Sequence, residues 1–189
     1  MGFVDSLLLS FYLSHLSNFQ IHQTILICCI KFKIVHADIN DAANPELLHQ
    51  AIIKGCYEIV EALLKFGANV NETKGSSKET PLHLASRRKS ENIVKLLLEY
   101  GADVDAKCNQ ERTPMFAAAK RGLHKNVEML LKYGANMDSS DLAGKTPLHI
   151  AVDVGVYFGQ DVIKHLLENG ADSYIGLSTV YRLILKKRS

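Results

Sequence analysis

The feature that most constrains this chain is a Thr-Pro pair that recurs at a fixed interval. The pair occurs three times, 33 residues apart, at Thr80-Pro81, Thr113-Pro114 and Thr146-Pro147. A threonine can cap a helix because its hydroxyl accepts a free backbone N–H, and proline suits the first helical position because the N–H that it lacks has no partner there. Each pair therefore predicts the start of a short helix, and the equal spacing predicts repeated structural units.

A second helix is predicted in each unit from its apolar spacing and its glycine stop. In the unit that begins at Thr80, this helix starts near Glu91 and carries a wide apolar face over residues 93–98. Gly101 can end it, because glycine adopts the left-handed conformation without a Cβ penalty. A Gly-Ala pair after a double leucine recurs in four units, at Gly67-Ala68, Gly101-Ala102, Gly134-Ala135 and Gly170-Ala171. Neither helix can bury its apolar face alone, so the units must stack on one another.

The period, the Thr-Pro-Leu-His opening and the Gly-Ala closure resemble the ankyrin repeat, a helix-turn-helix unit with a β-turn finger. The resemblance covers residues 41–172 and divides them into four repeats, at about 41–71, 72–105, 106–138 and 139–172. It implies an all-α ankyrin-repeat solenoid. It also implies a monomeric scaffold or adaptor that binds a protein partner noncovalently, on the concave face made by fingers and first helices.

The two ends of the chain are less regular. Residues 1–40 contain two short apolar runs, and three interpretations stay open for them: a divergent capping repeat, a membrane or secretory segment, and a mostly disordered extension. Neither run reaches the length of about 20 apolar residues that a membrane span needs. Residues 173–189 are predicted to form a C-terminal cap helix with a basic tail.

Composition and motifs exclude several classes of function. The formal net charge is only +2, and none of the four cysteines forms a C-x-x-C pair. Free thiols favour an intracellular protein, cytoplasmic or nuclear. Because no cysteine or histidine cluster has the spacing of metal ligands, we expect no metal, and we also expect no cofactor. The histidines His49, His83 and His149 recur once per repeat, whereas an active site needs one convergent set. We therefore expect them to hydrogen-bond fingers and helix caps, and we expect no enzyme and no small-molecule substrate.

Four departures from the repeat pattern carry expectations of their own. Lys89 stands where the family has a glycine, at a cost of about 1 kcal/mol if the left-handed conformation is kept. Phe116 replaces the recurring histidine. Asn126 falls at an apolar position, where an unpaired amide would be costly, so Asn126→Val is expected to stabilise by about 1 kcal/mol. Three extra residues within 156–160 should bulge outward between the helices of the fourth repeat.

Basic residues are concentrated on the surface that the resemblance assigns to binding. The predicted partner-binding residues are Lys54, Lys78, Arg87, Arg88, Lys89, Arg112, Lys120, Arg121 and Lys145. Because like charges in neighbouring repeats repel, their accumulation favours an acidic protein segment as the partner. Nucleic acid is a distant second, since phosphate binding would call for more arginine and aromatic residues.

Two other classes of function remain open. An I-kappa-B-like inhibitor or a host-directed effector would also use the array for binding, but masking a basic segment would require an acidic face. An ankyrin-bearing toxin or membrane-associated protein would depend on residues 1–40.

Overall fold

The computed structural model describes residues 45–172, and within them the regular structure is entirely α-helical. The helices are α1 (Pro45–Lys54), α2 (Tyr57–Lys65), α3 (Pro81–Ser86), α4 (Glu91–Glu99), α5 (Pro114–Lys120), α6 (His124–Lys132), α7 (Pro147–Val154) and α8 (Val156–Glu168). They form four helix pairs, one for each predicted repeat. The all-α fold class is confirmed. The predictions for residues 1–40 and 173–189 fall outside the described residues.

The first helix of the second repeat begins as its sequence predicts. Thr80 has an extended backbone, its Oγ1 accepts the N–H of His83, and Pro81 follows at the first helical position. This bond satisfies one of the N–H groups that have no partner inside the helix. At the far end of the repeat, Gly101 has a φ of 83°, in the left-handed region where glycine is favoured.

The helices stack in two layers. The first helices α1, α3, α5 and α7 pack in series, the second helices α2, α4, α6 and α8 form the other layer, and each first helix packs on the second helix of its own repeat. Leucines such as Leu82 and Leu97 are fully buried between the layers. Burial of one such side chain contributes about 1.5 to 3 kcal/mol, so the stack supplies the stability that no single repeat has.

The bases of the fingers are joined by a series of side-chain to backbone hydrogen bonds. Asn71 Oδ1 accepts the N–H of Asp103 at 2.8 Å, and Asp105 accepts the N–H of Asn136 at 3.0 Å. Asp138 continues the series into the fourth repeat by accepting the N–H of residue 172. These short polar side chains therefore shape the fingers and tie each repeat to the next, as expected for turn-forming residues.

The turn of the second repeat differs from the expectation for Lys89. The non-glycine residues with positive φ within 45–172 are Lys78 and Glu111, so Lys89 does not adopt the left-handed conformation. Gly55 and Gly122, at the equivalent positions in the first and third repeats, do adopt it. The cost expected for a left-handed Lys89 therefore does not arise, because the turn takes another path.

Asn126 explains how that path is stabilised. Its side chain is 1% exposed, and its Nδ2 donates to the carbonyl oxygens of Ser86 at 2.9 Å and Arg88 at 2.7 Å. Both acceptors belong to the turn of the preceding repeat. The amide is therefore paired, so the gain from Asn126→Val that an unpaired amide would bring no longer follows.

The insertion of the fourth repeat extends a helix and does not bulge. Helix α8 has 13 residues, whereas α2, α4 and α6 have 9 each. Gly159 lies buried in the added turn, where a Cβ would sit 2.2 Å from the carbonyl oxygen of Ala151. The absence of a side chain at Gly159 therefore lets the extra turn pack on α7.

Candidate functional site

A groove of about 620 Å³ lies between the fingers and first helices of the second, third and fourth repeats. Its apolar lining comes from Phe116, Ala117, Ile150 and Val154. Phe116 is 2% exposed, while the other three are partly open to solvent. The groove thus offers apolar surface, in the place where the resemblance puts the binding surface.

The structure brings together four of the nine predicted binding residues. Arg87, Arg112, Lys120 and Arg121 line the groove. The other five are not part of its lining: Lys54, Lys78, Arg88, Lys89 and Lys145. The basic residues are therefore distributed over a wider surface than one site can use, and the third repeat contributes three of the four that meet.

Opposite charges pair between the finger and the first helix in the second and fourth repeats. In the second, Arg87 Nη1 donates to both carboxylate oxygens of Glu79 at 2.9 Å. In the fourth, Lys145 Nζ lies 2.5 Å from Asp153 Oδ2. Each pair joins the finger residue that precedes the threonine to the helix residue eight positions later, and we call these two positions the finger–helix pair. In both repeats the pair neutralises itself.

The third repeat has two cations at the same positions, Arg112 and Lys120. Arg112 turns to the next finger, where its Nε and Nη2 each lie 3.1 Å from Asp141 Oδ2. Its Nη1 donates to Gln110 at 2.6 Å. Lys120 and its neighbour Arg121 are exposed and form no ion pair within residues 45–172. The centre of the groove therefore keeps an uncompensated positive charge.

Asp141 is held as a carboxylate at this position. Burial of its side chain raises the pKa, but the N–H groups of Lys145 and Ala143 and the guanidinium of Arg112 outweigh burial, so the pKa of Asp141 lies below its usual range. The charged form of Asp141 is the one that pairs with Arg112. This explains why Arg112 does not contribute a free cation to the groove.

A histidine bridge supports the groove in the second repeat. His83 Nδ1 accepts the N–H of Thr80 at 3.2 Å, and Nε2 lies 2.9 Å from the carbonyl oxygen of Arg112, to which it donates in this tautomer. Burial lowers the pKa of His83, although the bond to Arg112 opposes the shift. His149 makes the same contact with the N–H of Thr146 at 3.0 Å. The predicted role in caps and fingers is confirmed for these two histidines.

Phe116 changes this arrangement in the third repeat. Its ring cannot hydrogen-bond, and Thr113 Oγ1 is buried without a partner among the described residues. The sequence interpretation treated Phe116 only as a departure from the pattern and did not anticipate its place in the groove. It also missed the ion pairs that Glu79 and Asp141 make with Arg87 and Arg112. A comparison of the two positions of each finger–helix pair would have indicated the pair of Glu79 with Arg87.

Comparison with known proteins identifies the repeats. A family model described as Ankyrin repeats (3 copies) matches residues 14–108 and 104–175. The chain belongs to the ankyrin repeat family. Repeats of this family generally mediate protein–protein interaction.

The relatives share only their repeats with this chain. Ankyrin repeat and KH domain-containing protein mask of Drosophila melanogaster is 40% identical over 39% of this chain and 2% of its own length. Ankyrin repeat and SOCS box protein 5 of Mus musculus is 41% identical over 39% of this chain and 21% of its own length. Human transient receptor potential cation channel subfamily A member 1 is 39% identical over 36% of this chain and 6% of its own length. The match thus spans about a fifth of these relatives at most.

Three further findings apply to residues 45–172. No group of three or more His, Cys, Asp or Glu side chains in this range could hold a metal ion. No helix of the described residues is long and apolar enough to cross a membrane. Cys56 and Cys108 are buried free thiols.

Proposed function

We propose that this ankyrin array is a noncovalent binding module that holds an acidic segment of a partner protein in the groove. The observation that carries the proposal is the apolar lining beside Lys120 and Arg121, two cations without an ion pair in the described part of the array. An apolar surface supplies affinity, and charge complementarity supplies orientation and selectivity. We further infer that the protein is monomeric and intracellular, and the free thiols of Cys56 and Cys108 support the intracellular location.

The charge of the groove helps to separate the alternatives. An inhibitor of the I-kappa-B type that masks a basic segment would require an acidic face, whereas the unpaired charge here is positive. A host-directed effector remains compatible with an acidic partner. The toxin and membrane-associated alternatives depend on residues 1–40, outside the described residues.

Affinity capture with the full chain tests the proposal. The groove variant Lys120→Glu/Arg121→Glu is compared with a control of equal charge change on the second helices, Lys95→Glu/Lys132→Glu. Proteins retained from a cell extract are quantified by mass spectrometry, and circular dichroism verifies that both variants melt like the wild type. We expect the groove variant to lose acidic proteins that the control retains, and raised salt to weaken their capture. Equal capture by both variants would contradict binding in the groove.

A further inference from the structure

We propose that the third repeat contains an anion subsite, in which Lys120 and Arg121 bind one carboxylate of the partner segment. The partner's carboxylate would take the place of the acid that the second and fourth repeats supply from their own finger–helix pairs. This inference rests on the proposed function and specifies the chemistry of its central contact. It reduces the nine basic residues of the sequence prediction to two.

The repetition of the fold provides an internal standard for this subsite. At the same two positions, the second repeat places Glu79 with Arg87 and the fourth places Lys145 with Asp153. The order of the charges is reversed between the two repeats, yet both pairs close. The position therefore accommodates an ion pair of either polarity, and the third repeat is the one of the three that leaves it open.

The neighbouring contacts keep the subsite open. Arg112 is turned away from Lys120 by the buried carboxylate of Asp141, with which it makes contacts at 3.1 Å. Glu79 and Asp153, the two acidic members of the described lining, are already engaged in their own pairs. No acidic group of the described groove is thus left for Lys120 or Arg121.

The lining beside the subsite indicates what accompanies the carboxylate. Ile150 and Val154 of α7 and Ala117 of α5 line the same groove as the two cations. An exposed ion pair alone contributes little to affinity, so a charge contact needs adjoining apolar burial to form a stable complex. The occupant that fits is a segment with a glutamate or aspartate close to one large apolar residue.

Fluorescence anisotropy with synthetic peptides tests this subsite on the full chain. The probes are labelled decapeptides of glycine and serine with one leucine and one glutamate, separated by zero to three residues. Matched sets carry glutamine, lysine or phosphoserine in place of glutamate. We expect at least one glutamate peptide to bind about three to five times more tightly than its glutamine match, the range that a contact with exposed charges provides.

Two charge variants sharpen the experiment. Lys120→Asp copies the fourth repeat by placing an acid opposite Arg112, and it should abolish the preference for glutamate over glutamine. Asp153→Lys copies the third repeat and should create a second subsite, so that a peptide with two glutamates gains several-fold in affinity over the wild type. The Lys95→Glu/Lys132→Glu variant should keep the preference.

Several results would overturn the subsite. These are equal binding of glutamate and glutamine peptides, no binding of any peptide at about 1 mM, and an unchanged preference in Lys120→Asp. Tighter binding of phosphoserine than of glutamate would overturn its assignment to a carboxylate. Each of these results leaves the proposed function to be decided separately, because capture of acidic proteins from an extract does not depend on the peptide set.

Discussion

The second and third repeats are neighbours with the same helices, but they use equivalent positions in different ways. In the second, His83 bonds to its own cap at Thr80 and to the next finger, and the finger–helix pair neutralises itself. In the third, Phe116 makes no such bonds, and Lys120 is left without an ion pair within residues 45–172. The positions that form internal contacts in the second repeat are thus left without them in the third, which is the repeat that we propose binds the partner.

The two repeats also depend on each other. Asn126 of the third repeat donates to two carbonyls of the turn that closes the first helix of the second. His83 of the second repeat in turn donates to the carbonyl of Arg112, at the base of the third finger. The two repeats are therefore coupled by side-chain to backbone hydrogen bonds that run in both directions across their interface.

The largest expected effect comes from making the second repeat resemble the third. His83→Phe removes the buried bond from the Thr80 N–H and the partly buried bond to the Arg112 carbonyl. We expect a loss of about 2 to 3 kcal/mol in the free energy of unfolding, measured by urea titration. An unchanged midpoint would mean that the histidine bridge contributes nothing to stability.

A smaller loss is expected when the contact in the other direction is removed. Asn126→Val leaves the carbonyls of Ser86 and Arg88 without their donor, and the gain in apolar burial offsets only part of the cost. We expect destabilisation by about 1 to 2 kcal/mol. A double-mutant cycle with Lys89→Gly is the control, because glycine lets the turn close as in the neighbouring repeats and should reduce the cost of Asn126→Val. Stabilisation by Asn126→Val would refute this role.

The pH dependence of stability isolates His83 further. Burial holds its pKa below the value of about 6.5 in the unfolded chain, so the unfolded chain binds the proton more readily. The contribution of His83 is complete above this pH and is lost as the pH falls towards the folded pKa. We expect the urea midpoint to decrease on acidification from pH 7 to pH 5 more strongly in the wild type than in His83→Phe. Parallel pH profiles would contradict the assignment.

The sequence allowed most of the fold to be predicted, because Thr80, Gly101 and the apolar spacing between them act locally. Asn126 was misinterpreted because its partners lie 38 and 40 residues earlier, in a turn whose path depends on the missing glycine. The sequence predicted the candidate site as a set of basic residues, but it did not show which of them form ion pairs. Arg112 pairs with Asp141 in the next finger, and Lys120 is left without an ion pair. This pairing depends on how the repeats stack, which the local sequence does not determine.

The most direct measurement of the central claim is the stability of Lys120→Asp. If the third repeat leaves Lys120 without an ion pair for the sake of its partner, an acid at this position, next to the exposed Arg121, should leave the protein at least as stable as the wild type, and up to about 0.5 kcal/mol more stable. Asp153→Lys, which breaks the equivalent pair in the fourth repeat, should lower the urea midpoint. A decrease in Lys120→Asp as large as that in Asp153→Lys would contradict the account.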